Sequence, residues 1–418
     1  MVREIIQIQV GECGNRVGAR FWERLRYESC INYNNEHEHD TSNSSIPQVY
    51  FRETEEQKMY PRSIMIGYNH NQIDDVLTGE NPKIYEYNYL YPYESHNSTW
   101  SRGNILNGNL HGTKIFEYIR KEVEACNSLQ GFQICHSMAG GTGSGLSSYI
   151  INQIKDEYPD RVIMSHSIFP SFLIDDFVCQ PYNFVLSMPT MINSVDEVIC
   201  FDNEAITKTC TNYDKISNLS YGDLNFHISQ VMSNSTCCFR FTGQFNSDLY
   251  KSINNHVFVK NLHFLISRNT PILSRGSTGG YHPDYSFKKF ASDLFNNDFL
   301  LADCNPQYGS YFAASAIFRG YKTPNEIEEE MLKLNNCNIP KLLVSTFDHL
   351  FERKKATMIE NTTAIKNVFK RIGYNFQKLF SKNAFINWYT NDGLEKSQFE
   401  DSFESLKNLI DEYESYEK

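Results

Sequence analysis

The sequence predicts an α/β fold in which a parallel sheet carries helices on both faces. Three observations predict it. Strand-like and helix-like runs alternate through the first half of the 418 residues, as they do where helical crossovers join parallel strands. Two glycine-rich loops each follow a strand and open a helix. Beyond about residue 243 the alternation loosens into mixed strands and helices, then ends on an amphipathic helix.

Residues 3–10 read as a buried strand, followed by a glycine loop and a helix over roughly 16–29. The polar run 33–46 reads as a loop or a disordered excursion. A strand over 62–68 leads to a short helix near residues 73–77, and a long helix runs from about 103 to 127. Residues 132–137 and 162–169 read as strands flanking a helix at 146–158. A long helical run over 221–240 links this half to the second half of the chain. In that second half, 262–268, 311–321 and 354–361 read as strands of a second α/β domain. The resulting division is 1–202, a linking segment with a core helix over 203–240, an intermediate domain over 241–361, and a C-terminal helical region over 362–418.

In the tail, Phe399, Phe403, Leu406, Ile410 and Tyr413 recur at three- and four-residue spacing, one stripe of a helix. Its other face is acidic, with Glu395, Glu400, Asp401, Glu404, Asp411, Glu412, Glu414 and Glu417. That face reads as a solvated surface, or as a docking surface for basic partners.

The formal charge of −11 argues against non-specific nucleic-acid binding and against docking on an anionic membrane. No segment approaches the roughly 20 apolar residues of a membrane helix. The start, MVREIIQIQV, carries Arg3 and Glu4 and lacks a secretory signal's apolar core. Eleven cysteines lie scattered without a C-x-x-C pair, so reduced cytosolic thiols are expected and a zinc site is not.

The two glycine loops carry the chemistry. The first is Gly11-Glu12-Cys13-Gly14-Asn15-Arg16-Val17-Gly18. The second is Ala139-Gly140-Gly141-Thr142-Gly143-Ser144-Gly145. Glycine lets the backbone approach a ligand, and a helix start offers free N–H groups and the positive end of its dipole. Two such loops at one edge of a parallel sheet make a phosphate site. Neither loop is a Walker motif or has the dinucleotide G-x-G-x-x-G spacing in the right context. Thr142 and Ser144 add hydroxyl donors to the second loop.

AGGTGSG closely resembles the GGGTGSG phosphate loop of the tubulin family, shared with the bacterial division proteins that resemble tubulin. The resemblance extends over nearly the whole chain: REIIQIQVGECGNRVGARFWE at the start, EYPDR (157–161), FDNEA (201–205), YGDLN (221–225), FRFTGQFNSDL (239–249), LSRGS (273–277), ASAIFRG (314–320), FKRI (369–372) and AFINWYT (384–390). Lys251 and the short link between 319–321 and 356–361 favour the β type. The resemblance implies a tubulin-type fold that binds GTP and GDP. It places the phosphates on the backbone of Gly11, Glu12, Cys13 and Gly14 and of Gly140, Gly141, Thr142, Gly143 and Ser144, with Ser137 nearby. Asp176 aligns with the ribose-contacting acid, and Gln180 stands where the family usually has a Glu near the base. Tyr221 is expected to stack on guanine, while Asn203 and Asn225 read its edge through amides that both donate and accept.

The departures concern the phosphate end. Where tubulins carry two acids that help hold magnesium, this chain has Gly67 and Asn69. The next phosphate loop, usually glycine-bearing, reads Glu94-Ser95-His96-Asn97-Ser98-Thr99-Trp100. Glu12 replaces the usual Gln. A carboxylate about 5 Å from a phosphate charge costs about 3 kcal/mol at an effective dielectric of about 20. Alternatively, Glu12 replaces the lost magnesium ligands, since hard cations prefer carboxylate oxygen. Magnesium is therefore expected only without the family's usual acids.

Family members also reach the neighbour's nucleotide with a loop, here Gly243 to Lys251. In the α type an acid there positions the attacking water. Lys251 cannot, so hydrolysis on this chain calls for an α-type partner. The stretch 335–348 is shorter than in the β type, Val2 interrupts the usual start, and the sequence ends at Lys418 without the acidic tail. These departures suggest a specialised subunit, in cytoplasmic microtubules or in a stable structure such as a cilium or basal body. Expected partners are α-tubulin or other tubulins, with microtubule-associated proteins on the acidic C-terminal helix. Two other classes compete: a degenerate tubulin-like regulator that does not cycle nucleotide, and a dinucleotide-dependent enzyme. No Cys–His, Ser–His–Asp or metal-ligand constellation supports the last.

Overall fold

The computed structural model describes residues 3–32, 35–37, 46–67, 89–90, 98–172, 177–214, 219–241, 247–272, 286–320, 324–334, 339–347 and 354–417. One ten-stranded sheet runs through both halves of the chain. Its strands are β1 (Glu4–Val10), β4 (Ser63–Ile66), β5 (Tyr89–Leu90), β6 (Leu129–Ser137), β7 (Val162–Phe169), β8 (Glu197–Asp202), β9 (Phe264–Thr270), β10 (Tyr311–Arg319), β11 (Leu342–Phe347) and β12 (Lys355–Thr362). The spatial order is β11-β10-β12-β9-β8-β7-β6-β1-β4-β5. From β5 to β9 every neighbouring pair is parallel, while β12 runs antiparallel to β9 and β10. A separate two-stranded ribbon pairs β2 (Phe51–Glu53) with β3 (Met59–Pro61).

The chain winds outward from β1 to β4 and β5, then returns to place β6 on the other side of β1. The strand order therefore reverses between β1 and β6. In a doubly wound sheet, ligands bind beyond the carboxyl ends of the strands at such a reversal.

Strand alternation sends neighbouring side chains to opposite faces. Ile6, Ile8 and Val10 join one core layer with Ile134, Ile150 and Phe369, whereas Ile5 and Cys135 join the other with Val17, Phe21 and Trp22. Helices cover both faces, as expected. α1 (Gly11–Glu28), α5 (Asn203–Asp214) and α6 (Tyr221–Ser235) lie on one side. α2 (Gly108–Glu124), α3 (Ser147–Glu157), α4 (Gln180–Ser194) and the C-terminal helices lie on the other.

Several boundaries differ from expectation. The first helix starts at Gly11 rather than Arg16, so the first glycine loop is itself the first turn of α1. The long helix expected over 103–127 opens with a π-helical turn, Arg102–Asn107, before α2. The run over 221–240 breaks at Thr236 into α6 and the short α7 (Cys237–Arg240). There the Ser235 and Thr236 hydroxyls both donate to the Met232 carbonyl, competing with the helix's own hydrogen bonds. The later strands continue the first sheet, because β9 pairs with β8. The helix expected near 73–77 and most of the polar run 33–46 lie outside the described residues.

The C-terminal region packs α11 (Lys366–Phe380), α12 (Ile386–Thr390) and α13 (Lys396–Ser415) against α4. Three shorter helices, α8 (Leu249–His256), α9 (Phe287–Leu294) and α10 (Pro324–Leu334), belong to the middle of the chain. Phe399, Leu406, Leu409 and Tyr413 are buried, and Phe403 and Ile410 pack at the margin, so the expected stripe faces the core. The acidic face is partly paired: Glu414 meets Lys370 and Glu417 meets Lys366, which fastens the chain end to α11. Among the described residues no helix is long and apolar enough to cross a membrane.

Candidate functional site

The loops after β1, β6 and β8 all lie at one edge of the sheet, because those strands are parallel. Gly11 has φ +77°, a conformation side chains disfavour, and a Cβ there would stand 3.3 Å from the Gly143 nitrogen and 3.7 Å from the Thr142 Cβ. The first and second glycine loops are thus in contact at the strand-order reversal. Gly140 faces open space, with nothing within 4 Å of its Cβ direction. The first turns of α1 carry N–H groups with no partner inside the helix, and its dipole adds positive potential there.

The second loop is held from beneath. His136, the penultimate residue of β6, is fully buried. Its Nδ1 lies 2.6 Å from the Gly143 carbonyl, and its Nε2 lies 2.9 Å from Ser167 Oγ and 3.1 Å from Ser165 Oγ. A carbonyl only accepts, so Nδ1 carries the proton and Nε2 accepts from a serine hydroxyl. Burial lowers the His136 pKa to about 4, against a weaker upward pull from the Gly143 contact. The imidazole is neutral at neutral pH.

The predicted hydroxyls divide in role. Ser137 Oγ accepts from the Ala139 N–H at 3.2 Å, and Thr142 is half-buried. Ser144 is fully buried, and its hydroxyl turns back to the Gly141 carbonyl at 3.5 Å. Ser144 therefore shapes the loop with its side chain, and its backbone N–H also turns inward, donating to the Gly140 carbonyl at 3.0 Å.

Glu12 is exposed in the first turn of α1 and forms an ion pair with Arg16 at 2.8 Å. Cys13 lies between the two glycines and is half-buried. Gly14 packs over the Cys135 carbonyl. Gly67, just past β4, is buried at the same edge of the sheet. Asn69 and Asp176 lie outside the described residues, as do residues 94–97 of the third loop.

Magnesium needs several oxygen ligands. Among the described residues no group of three or more His, Cys, Asp or Glu is placed to hold a metal ion. With Glu12 already paired to Arg16, the described residues do not by themselves make a magnesium site.

The residues expected on the base side stand at helix starts. Asn203 opens α5 directly after β8 and is buried. Tyr221 opens α6, whose start is fixed by a capping box in which Asp223 accepts from the Ser220 N–H at 2.9 Å. Asn225 lies one turn on from Tyr221, on the same helix face. Tyr221 is 50% exposed, while Asn225 is 8% exposed. None of the hydrogen bonds among the described residues engages the Asn203 or Asn225 amide. Buried amides of this kind suit the donor and acceptor edge of a purine. Gln180 is fully buried at the first position of α4.

Asn183, three residues into α4 and fully buried, belongs to none of the sequence motifs. Its amide nitrogen donates to the Ala139 carbonyl at 2.7 Å and to the Ser98 carbonyl at 2.8 Å. Its oxygen accepts from the Trp100 N–H at 2.8 Å and the Tyr389 hydroxyl at 2.7 Å. An asparagine inside the mostly apolar run 181–186 was the available signal. His136 offered the same signal, a polar side chain inside a strand.

Comparison with known families agrees with this geometry. Residues 4–211 match the model of the Tubulin/FtsZ family, GTPase domain, and residues 261–374 match that of the Tubulin C-terminal domain.

Proposed function

Because the chain belongs to the tubulin family, we propose that this GTP-binding cytoskeletal protein is a β-like subunit of microtubules that pairs with an α-type partner. The observation that supports it most is the contact of Gly11 with Thr142 and Gly143 at the strand-order reversal, with Asn203 and Asn225 buried at neighbouring helix starts. The two loops would cradle the phosphates, Tyr221 would stack on the base, and the two amides would read its edge. Residues 1–202 would form the nucleotide-binding domain, 203–240 the link and core helix, 241–361 the intermediate domain and 362–418 the outer helical region.

Bound GTP would supply the phosphoanhydride whose hydrolysis can drive a change of state. This chain's own residues would orient it. Lys251, exposed in the first turn of α8, is a cation where the α type has its acid. Hydrolysis on this chain therefore depends on the acid of an α-type neighbour. The test is co-assembly with purified α-tubulin under GTP. Mixed filaments that hydrolyse GTP, beside an unmixed chain that does not, support the reading. Fast hydrolysis by the unmixed chain counts against it.

A second reading is a specialised subunit or tubulin-like regulator with little nucleotide cycling, as in a cilium or basal body. One observation favours it. Thr99 and Ser101 are tied by hydrogen bonds to Asp392, so the end of the glycine-free third loop is anchored.

A further inference from the structure

Trp100, Gly103 and Asn104 lie against the second glycine loop. A Cβ on Gly103 would stand 2.3 Å from the Gly141 carbonyl oxygen, and one on Gly145 would stand 2.1 Å from the Trp100 carbonyl oxygen. Asn104 Nδ2 donates to the Gly145 carbonyl at 3.1 Å, and Trp100 Nε1 donates to Ser148 Oγ at 3.3 Å. The two segments are in close contact.

Two side chains then fasten this pair of segments to the outer helices. Asn183 uses both amide protons and both oxygen lone pairs, joining Ala139, Ser98, Trp100 and Tyr389 of α12. All four of its hydrogen-bonding positions are satisfied, so the residue has one orientation. Just past α12, Asp392 accepts from Thr99 Oγ1 at 3.1 Å and from Ser101 Oγ at 2.8 Å through the same carboxylate oxygen. Thr99 and Ser101 are buried, whereas Asp392 is half-buried.

We propose that Asn183 and Asp392 are positioning residues that seat the 98–101 segment against the second glycine loop and couple both to helix α12. The inference rests on the reading of that loop as a phosphate site. Removing the Asp392 carboxylate leaves two buried hydroxyls without their charged acceptor and frees the segment that supports the loop. The carboxylate acts through the segment and touches no nucleotide.

The test compares the wild-type chain with Asp392→Ala and Asp392→Asn. The Asn variant keeps an acceptor oxygen in place. Hydrogen exchange is followed in segments 98–104 and 139–146, with β10 as a remote control, and GTP and GDP are titrated separately. Asp392→Ala is expected to speed exchange in both segments and leave β10 unchanged. It is also expected to weaken both nucleotides roughly tenfold, the scale of a lost hydrogen bond to a charged group. Asp392→Asn is expected to restore most of both effects. Unchanged exchange in the two segments, a uniform rise that includes β10, or local loosening with unaltered nucleotide affinity would each overturn the proposal. If the wild type binds neither nucleotide, the guanine reading fails, and the exchange arm alone decides whether Asp392 holds the loop.

Discussion

Glu12 and Arg16 are ion-paired at 2.8 Å across one turn of the helix that opens at the first glycine loop. The carboxylate that departs from the family's usual Gln thus carries its own counter-charge. This pairing weighs against both sequence-based readings of Glu12, an uncompensated repulsion and a free metal ligand.

The pair gives the first prediction. Arg16→Ala exposes the proposed phosphate site to the Glu12 charge without this counter-ion and is expected to weaken GTP binding. Both side chains are about half exposed, 48% for Glu12 and 42% for Arg16, so screening keeps the effect near 1 kcal/mol, roughly fivefold. Glu12→Gln in the Arg16→Ala background is expected to recover it. Titrations at low and high salt check the electrostatic origin, because the loss shrinks as salt rises.

The second prediction concerns the base. Asn225→Ala removes a buried amide placed one turn beyond Tyr221, and is expected to cost about 1–3 kcal/mol of GTP affinity by leaving a base-edge group unpaired. Its effect on ATP is expected to be small. Competition binding of the two nucleotides to wild type and variant measures both.

His136 gives the third. Its folded pKa is lowered to about 4, while an unfolded histidine titrates near 6.5. Between those values the unfolded chain binds the extra proton, so stability rises with pH across that window. Stability from this group is complete above about pH 6.5 and is lost as pH falls towards 4. His166 and His227, buried and lowered to about 3 and about 4, act in the same direction. Urea unfolding from pH 7.5 to 5 is expected to show this decline, and His136→Ala to remove part of it. That variant also strips partners from Gly143, Ser165 and Ser167, at a cost of about 2–3 kcal/mol at neutral pH.

The fourth lies away from the site. Glu28 at the end of α1 is fully buried and accepts from Arg240 at 2.8 Å and Arg319 at 3.0 Å. Burial alone pushes its carboxyl up, but Arg319, Arg240 and Arg24 together hold it well below the ordinary carboxylate range. Its stabilisation is present above the unfolded value of about 4.3 and is lost as pH falls through the folded one. Glu28→Ala takes the buried carboxylate away from two buried arginines and is expected to cost about 3–5 kcal/mol, read by chemical denaturation. Because the cluster joins α1 to β10, both halves of the sheet are expected to loosen together.

What the sequence disclosed was mostly local. The glycine loops were legible because strand, loop and helix succeed one another directly, and β7 was read at its true limits of 162–169. The start of α1 was not, because Gly14 looks like loop sequence yet owes its glycine to the Cys135 carbonyl across the core. Helix α4 was hidden by Pro189 inside it and by burial on nearly every side, which erases the amphipathic period. The Asn183–Tyr389 and Thr99–Asp392 ties join residues far apart in the chain, and no local pattern announces them.

A guanine site between the two glycine loops is tested most directly by the nucleotide that the natively purified chain carries. The chain is denatured, and the released nucleotide is identified by ion-exchange chromatography of the supernatant. GTP or GDP is expected at close to one per chain, with the chain rebinding GTP in preference to ATP. Recovery of NAD or an adenine nucleotide, or equal affinity for GTP and ATP on rebinding, would contradict a guanine site.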